Sequence, residues 1–238
     1  ILSISASWAA LAALGAGDPI ILGCVGGAAI ALSALSFLDD LGGLSAGLRL
    51  IAQAGAAAAI LAVVGPDPER ILQGVIPAAL AWPIVLLGWL WFINLFNFMD
   101  GIDGLSGVET IVIAGALGLW AAFLAADGRP APAFAVMGAA AGFLVWNWSP
   151  AKVFLGDSGS IPLGFLLGWL LMDSAAAGAW AIALCAPAYY IADATATLAR
   201  RALRGETLWR AHRSHAYQRA TQGGLSHAEV SRRIALCG

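Results

Sequence analysis

The chain has 238 residues, of which 61% are hydrophobic and 11% are charged, and its formal net charge is −2. Because soluble domains carry roughly 25% charged residues, this composition excludes an ordinary soluble protein and predicts an integral membrane protein. The apolar residues form helix-length runs without strand-like alternation, which favours a helical bundle over a β-barrel. The three cysteines are scattered and form no C-x-x-C pair, so neither a disulfide nor a zinc site is expected.

Eight apolar runs approach the length of a bilayer span and predict an all-α, polytopic transmembrane helical bundle. They cover residues 1–15, 19–38, 48–65, 74–93, 105–126, 131–148, 161–172 and 178–198. The chain begins with an apolar residue that is not methionine, and its last residues resemble the opening of another apolar segment. We therefore expect a single integral-membrane domain over 1–238 that is truncated at both ends.

Alternation of the eight spans sorts the connecting loops onto two faces with very different charge. One face carries two basic residues, Arg70 and Arg129. The other face carries ten: Arg49, Lys152, Arg200, Arg201, Arg204, Arg210, Arg213, Arg219, Arg232 and Arg233. Because positive residues concentrate on the cytoplasmic side of membrane proteins, the second face is predicted to be cytoplasmic.

Two adjacent carboxylates, Asp39 and Asp40, close the second predicted span. Neighbouring negative charges at a membrane boundary repel one another, so a cation or a proton is expected to offset them. The alternative is that both are solvated residues that simply end a helix.

A polar stretch at residues 94–104 directly follows the fourth predicted span and contains Asn97, Asp100 and Asp103. The two aspartates are three residues apart and each precedes a glycine, so both can point into one turn. Oxygen ligands and a close approach of the backbone are what a phosphate-bound Mg²⁺ requires. The alternative is a polar turn that caps the next helix.

Residues 149–160 combine Lys152, Asp157 and a glycine-rich turn ahead of a predicted helix. Such a turn can present backbone N–H groups and a helix N-terminus to phosphate. The last loop contains His212, Arg213 and His215 among other arginines, which suit bidentate phosphate binding. A basic strip that contacts lipid headgroups is the alternative for this loop.

Two further polar residues near the same face have no decided role. Asp193 is expected either to face the active site or to form a structural hydrogen bond. His227 has no evident partner and is expected to be solvated.

Taken together, residues 94–104, Asp39-Asp40 and residues 151–159 resemble the polyprenyl-phosphate N-acetylhexosamine-1-phosphate transferases, also called glycosyl transferase family 4. The resemblance covers nearly the whole chain, with the motifs in the family's order and spacing. It implies a bundle of about ten or eleven membrane helices, of which this chain would lack the first helix and the one after Arg233. It also implies a multi-pass protein of the bacterial inner membrane whose active site faces the cytoplasm, and it allows a homodimer.

The resemblance further implies the reaction and the residues that serve it. A sugar-1-phosphate would pass from a UDP-sugar to a polyprenyl phosphate such as undecaprenyl phosphate, which releases UMP, and no nucleic acid is involved. Asp157 and Asp40 would hold Mg²⁺, with Mn²⁺ as a substitute, and Asp39 would be the base. Substrate binding is implied for the remaining residues: Asn97, Asp100, Asp103, Lys152, His212, Arg213 and His215.

The sequence of the last loop indicates a branch of the family. Phospho-MurNAc-pentapeptide transferases carry consecutive histidines here, whereas this loop reads His212-Arg213-Ser214-His215. The pattern is more similar to the branch that initiates O-antigen and lipopolysaccharide synthesis. The pentapeptide transferase remains an alternative, and an ion-coupled secondary transporter is the alternative from another class.

Overall fold

The computed structural model describes residues 1–125, 128–207 and 212–237, and all regular structure in these ranges is helical. Arg210 and the predicted end of the fifth span at residue 126 lie outside the described residues. The helices are α1 Leu2–Ala13, α2 Pro19–Gly42, α3 Ala46–Val63, α4 Pro68–Ile71, α5 Ala78–Met99, α6 Leu105–Phe123, α7 Ala131–Asn147, α8 Asp157–Ser174, α9 Trp180–Cys185, α10 Ala188–Leu203, α11 Ala216–Gln222 and α12 His227–Ala235. The predicted all-α class is confirmed.

Five helical segments are long and apolar enough to cross a membrane: Pro19–Gly42, Ala46–Val63, Ala78–Met99, Leu105–Phe123 and Asp157–Cys185. Two shorter apolar helices, α1 and α7, accompany them. The chain is therefore a polytopic helical membrane protein.

The boundaries of the last two predicted spans are wrong. α8 begins earlier than predicted, at Asp157, and continues through a π-helical turn at Ala175–Ala179 into α9. A new helix then starts at Ala188, directly after Pro187 and within the range of the predicted eighth span. Proline has no N–H to donate to the preceding turn, which explains the break.

The fourth predicted span also ends too early. α5 continues from Ile93 to Met99, so Asn94 and Asn97 lie inside the helix rather than in a loop. The Asn94 amide donates to the Leu90 carbonyl oxygen at 2.8 Å and to Gln53 Oε1 at 2.8 Å. These two bonds satisfy the side chain within the bundle, which allows a polar residue in the last turns of an apolar helix.

α8 is the central helix, because nearly all of its residues are buried and it packs against α2, α5 and α6. The Trp89 indole N–H donates to the Phe165 carbonyl oxygen at 3.1 Å, and the two rings stack with centroids 4.7 Å apart. At the edge of the bundle, the Trp8 indole N–H donates to the Pro132 carbonyl oxygen at 3.0 Å and ties α1 to α7.

Glycines on α8 set its close approach to α5. A Cβ atom on Gly164 would lie 3.2 Å from both the Cα and the carbonyl oxygen of Ile93. These are backbone atoms that cannot rotate away, so the contact depends on glycine. The approach matters for the site because α5 carries Asn97 near its C-terminal end and α8 begins at Asp157.

α2 and α8 run in opposite directions and thereby define the two ends of the bundle. Asp39 lies in the last turns of α2 and Asp157 opens α8, whereas Asp18 precedes α2 and Asp173 lies near the end of α8. We call the end with Asp39 and Asp157 the acidic end, and the other the far end. At about 1.5 Å per residue, the length of α2 separates the ends by roughly 30 Å, the thickness of a bilayer core.

We predict that Gly164→Ala lowers the thermal stability of the protein in detergent, by about 1–3 kcal/mol, because the added methyl group meets the α5 backbone. The matched control is Gly138→Ala in α7, where an added Cβ meets no atom within 4 Å. There the higher helix propensity of alanine should leave the melting temperature equal or raise it. Equal effects of the two substitutions would contradict the close packing of α5 and α8.

Candidate functional site

An arginine joins two of the predicted catalytic carboxylates at the acidic end. Arg49 Nη1 donates to Asp39 Oδ2 at 2.9 Å and to Asp157 Oδ2 at 3.1 Å. Asp39 is 9% exposed, whereas the side chains of Arg49 and Asp157 are each 33% exposed. The site is therefore half open to solvent, and one guanidinium links helices that are distant in sequence.

The local fold places each member of this bridge. The left-handed Gly43 ends α2, and Asp39 Oδ1 accepts the backbone N–H of Leu44 at 2.5 Å. Ser45 then caps α3 by accepting the N–H of Leu48, which puts Arg49 in the first turn of that helix. The sequence analysis counted Arg49 only as a positive charge. Its spacing ten residues after Asp39, one turn into the next helix, is the signal that could have identified it.

Three more predicted site residues surround Asp157. The negative charge of Asp40, which is exposed, acts electrostatically on Asp157. Asn97 Oδ1 accepts the hydroxyl of Ser160 at 2.5 Å, so the end of α5 is fastened to the first turn of α8. The charge of Asp157 in turn acts on Asp100. The structure thus brings together the residues Asp39, Asp40, Asn97, Asp100 and Asp157.

Asp100 is the buried member of this group. Burial raises the pKa of Asp100 to about 6, opposed by a hydrogen bond from Ser106 and reinforced by the negative charge of Asp157. The Ser106 hydroxyl donates to Asp100 Oδ1 at 2.7 Å and lies 3.4 Å from the Tyr190 hydroxyl. Asp100 therefore exchanges a proton within the ordinary physiological range.

Asp103 points away from the other carboxylates. Its Oδ2 accepts the Ala151 N–H at 3.2 Å, and its Oδ1 lies 3.3 Å from His227 Nδ1. The Ser231 hydroxyl donates to its carbonyl oxygen at 2.9 Å. Burial alone would raise the pKa of Asp103, but the contacts with Ala151 and His227 outweigh it and lower that pKa. The residue fastens two loops to α12, and the expectation that His227 has no partner is wrong.

Lys152 also lies apart from the carboxylates. Its side chain is exposed, and the ammonium group lies 5.8 Å from the centre of the Trp146 ring. It forms no ion pair within the residues that the structure describes. The structure thus places Lys152 on the rim of the acidic end, and its predicted contact with substrate stays a prediction.

The two histidines of the last loop lie side by side, with ring centroids 4.8 Å apart. His212 is partly exposed, and its Nδ1 lies 2.8 Å from the Ser214 hydroxyl. His215 is 2% exposed and precedes α11. Arg213 is exposed, and its carbonyl oxygen accepts the Gln222 amide. His212 and Arg213 are the members of this loop that a ligand can reach.

Asp193 anchors this loop through structural hydrogen bonds, one of the two alternatives that the sequence left open. Its carboxylate accepts the backbone N–H of Ala216 at 2.8 Å and of Tyr217 at 3.3 Å. His215 Nδ1 lies 3.6 Å away. The Tyr217 hydroxyl then donates to the Phe98 carbonyl oxygen at 3.2 Å. The last loop is thereby docked onto the end of α5, beside Asp100.

The donor set does not form a closed metal cage. In the ranges that the structure describes, no three His, Cys, Asp or Glu side chains are grouped to hold a metal ion. Asp40 and Asp157 nevertheless share one half-open face. Mg²⁺ commonly takes one or two carboxylates and completes its shell with water and substrate phosphates. The residues therefore fit an ion that arrives with a phosphate ligand, and they do not fit a resident structural metal.

Asp100 leads to a prediction about pH. The folded protein keeps the Asp100 proton to a higher pH than the unfolded chain does, so between about pH 4 and pH 6 the folded state binds more protons. Its contribution to stability must then fall as the pH rises through that window. We expect Asp100→Asn to make the melting temperature in detergent less dependent on pH there.

The control for this measurement is Asp67→Asn, because Asp67 is a helix-capping residue of the short helix α4. That substitution keeps a side chain that can cap α4 and leaves Asp100 in place, so the contribution of Asp100 to the pH slope should persist. A slope for Asp100→Asn that equals the wild-type slope would contradict the burial of this carboxyl group.

Comparison with known proteins agrees with the family resemblance seen in the sequence motifs. The family model of glycosyl transferase family 4 matches residues 22–175, which is more than half of the chain. A Bacillus subtilis protein described as a probable undecaprenyl-phosphate N-acetylglucosaminyl 1-phosphate transferase is 29% identical over 211 residues, covering 81% of this chain and 56% of the relative.

Two proteins described as phospho-N-acetylmuramoyl-pentapeptide-transferases match shorter stretches. The one from Moorella thermoacetica is 40% identical over 94 residues, which cover 38% of this chain and 30% of the relative. The one from Carboxydothermus hydrogenoformans is 42% identical over 73 residues, covering 31% of this chain and 22% of the relative. The chain thus spans about half, or less, of the length of these relatives. By the match over residues 22–175, the chain belongs to glycosyl transferase family 4.

Proposed function

We propose that this protein transfers an N-acetylhexosamine-1-phosphate, or a deoxy derivative of it, from a UDP-sugar to a polyprenyl phosphate. The lipid phosphate oxygen attacks the phosphorus that carries the sugar, a new diphosphate bond forms, and the old one breaks to release UMP. Family membership and the names of the relatives support this proposal. Apolar grooves between the helices would take the prenyl chain, so the acceptor stays in the membrane.

The observation that carries the proposal is the mixed charge of the acidic end. Both reactants are anionic, so their approach requires fixed positive charge and a means to hold a cation. Arg49 supplies a guanidinium that two carboxylates already orient, and bidentate geometry suits a phosphate. The chemistry that a bound Mg²⁺, or Mn²⁺ in its place, would supply is neutralisation of the diphosphate charge.

We assign roles to the carboxylates on this basis. Asp157 and Asp40 would hold the metal ion, and Asp39 would accept the last proton of the lipid phosphate. A phosphate monoester has a second pKa near ~6 and is largely dianionic at neutral pH, so the base has little left to remove. A direct attack by the lipid phosphate is therefore preferred to a covalent aspartyl intermediate.

The remaining residues would bind the donor. Asn97 and Asp100 lie next to Asp157 and would position the uridine-phosphate end, and Asp103 would support that loop. His212 and Arg213 would contact the diphosphate and the sugar, with Lys152 at the rim. His215 is buried and would act by shaping the loop.

We further propose the O-antigen-initiating branch, with the acidic end on the cytoplasmic face of the bacterial inner membrane. The broken histidine pattern His212-Arg213-Ser214-His215 supports the branch, and the ten basic residues on this side support the orientation. A transporter would need its coupling carboxylates near the bilayer midplane, whereas the carboxylates assigned here to the site, Asp39, Asp40 and Asp157, lie at one end of the bundle.

An assay of the products formed from two different UDP-sugar donors tests which substrate the protein uses. Membranes that contain the full chain are supplied with undecaprenyl phosphate and either UDP-GlcNAc or UDP-MurNAc-pentapeptide. We expect lipid-linked sugar and UMP from the N-acetylhexosamine donor, and at least about tenfold less from the pentapeptide donor, equivalent to about 1.4 kcal/mol. The reverse preference would identify the pentapeptide transferase, and uptake of solute without UMP release would identify a transporter.

The metal assignment is tested by Asp157→Asn. Removal of this charge should lower Mg²⁺-dependent transfer by about 100-fold or more, because the ion then loses a ligand and Arg49 loses a partner. Chelation of divalent ions should reduce the wild-type protein to the same level. The control Asp67→Asn should retain wild-type turnover, and wild-type turnover of Asp157→Asn with unchanged folding would overturn the assignment.

A further inference from the structure

A cavity of about 450 Å³ opens at the far end of the bundle, between α2, α6, α7 and α8. Its inner walls are aromatic and aliphatic and include Leu117, Trp120, Trp169 and Leu170. Its polar lining residues are Asp18, Arg129, Asp173 and Ser174. One side of the cavity thus suits hydrocarbon, and the other suits charged groups.

The cavity lies about one bilayer thickness from the acidic end. Asp18 and Asp173 stand at the opposite ends of the same two helices that bear Asp39 and Asp157. The helix length between them is roughly 30 Å, so the cavity is at the level of the opposite headgroup layer. The abundant ligands at that depth are membrane lipids.

One of the residues that line the cavity carries a buried donor without an acceptor in the part of the chain that the structure describes. Trp169 is 4% exposed, and its indole Nε1–H has no hydrogen-bond partner among the described residues. The neighbouring indole of Trp8, whose ring centroid lies 5.8 Å from that of Trp169, does have one, the Pro132 carbonyl oxygen. Because a buried donor without an acceptor destabilises the folded state, an oxygen acceptor from outside the protein is favoured at this position.

The charges of the cavity define the ligand further. Arg129 attracts Asp173, and Asp18 adds a second carboxylate whose Oδ1 accepts the N–H groups of Ile20 and Ile21. Among the lining residues that the structure describes, one guanidinium and two carboxylates leave an excess negative charge. A ligand that carries only an anion would meet both carboxylates, whereas one with a cation and an anion would match all three groups.

We propose that this cavity binds the headgroup of a phospholipid with a primary ammonium group, as in phosphatidylethanolamine. The phosphate oxygens would accept from Trp169 and Arg129, and the ammonium group would donate to Asp173 and Asp18. An acyl chain would lie on the apolar wall. A choline headgroup has no N–H to donate, and phosphatidylglycerol has no cation, so both fit less well.

The test measures thermal unfolding of the full chain in three vesicle types: phosphatidylcholine alone, with phosphatidylethanolamine, or with phosphatidylglycerol. A ligand that binds only the folded state raises the melting temperature. We expect phosphatidylethanolamine to raise it by about 3 °C or more above the other two compositions. Equal melting temperatures in all three would overturn the proposal. The readout is independent of sugar transfer, so it stands apart from the proposed function.

Two variants separate this site from a general effect of the bilayer. Trp169→Phe keeps an aromatic ring and removes the donor, and Arg129→Gln removes an exposed charge, so at least the second variant should fold normally. In both variants, phosphatidylethanolamine should no longer raise the melting temperature. Their melting temperature in phosphatidylcholine alone should be equal to or higher than that of the wild-type protein. Arg70→Gln, in the short helix α4 and outside the cavity, is the control and should keep the increment. An increment retained in Arg129→Gln and Trp169→Phe would overturn the site.

Discussion

The interaction on which the site depends is the shared contact of Arg49 with Asp39 and Asp157. Carboxylates from two helices that meet at a membrane boundary would otherwise repel each other in a medium that screens them poorly. A guanidinium between them offsets that repulsion and keeps the helix ends close. Because the side chains of Arg49 and Asp157 are each 33% exposed, their charges remain able to bind an incoming anion and its cation.

Contacts between the helices fix the relative positions of these charged side chains. Glycines on α8 allow α5 to approach closely, and the Ser160–Asn97 bond fastens the two helices where the site begins. Asp193 then holds the last loop against the end of α5 through backbone N–H groups. Site residues from several helix ends and from the last loop are thus positioned by buried contacts beside them, while the side chains of Arg49 and Asp157 stay partly exposed.

The sequence was sufficient to predict the helical class and which distant carboxylates would lie at the same end of the bundle. Composition and hydropathy determine the class, and loop parity brings distant carboxylates to one face, so Asp39 and Asp157 could be placed together. The bridging role of Arg49 was missed, although its place in the first turn of α3, ten residues after Asp39, was a signal for it. For Asp193 a structural hydrogen bond was one of two alternatives, and the sequence could not show which groups it would bind, because that depends on which way the side chain points. For Asp103 the prediction from spacing was wrong. The spacing suggested that Asp103 and Asp100 point into one turn, but the contact with His227 of α12 directs the Asp103 side chain away from Asp100.

A double-mutant cycle on thermal unfolding tests the central claim, that Arg49 holds the acidic end together by its charge. Arg49→Gln should destabilise the wild-type protein by about 0.5–1 kcal/mol, since the pairs are partly exposed. The same substitution should lower the free energy of unfolding clearly less in the Asp157→Asn background, because the repulsion between Asp39 and Asp157 is then already removed. An equal cost in both backgrounds would show that the guanidinium and the α8 carboxylate do not interact, and would contradict the account.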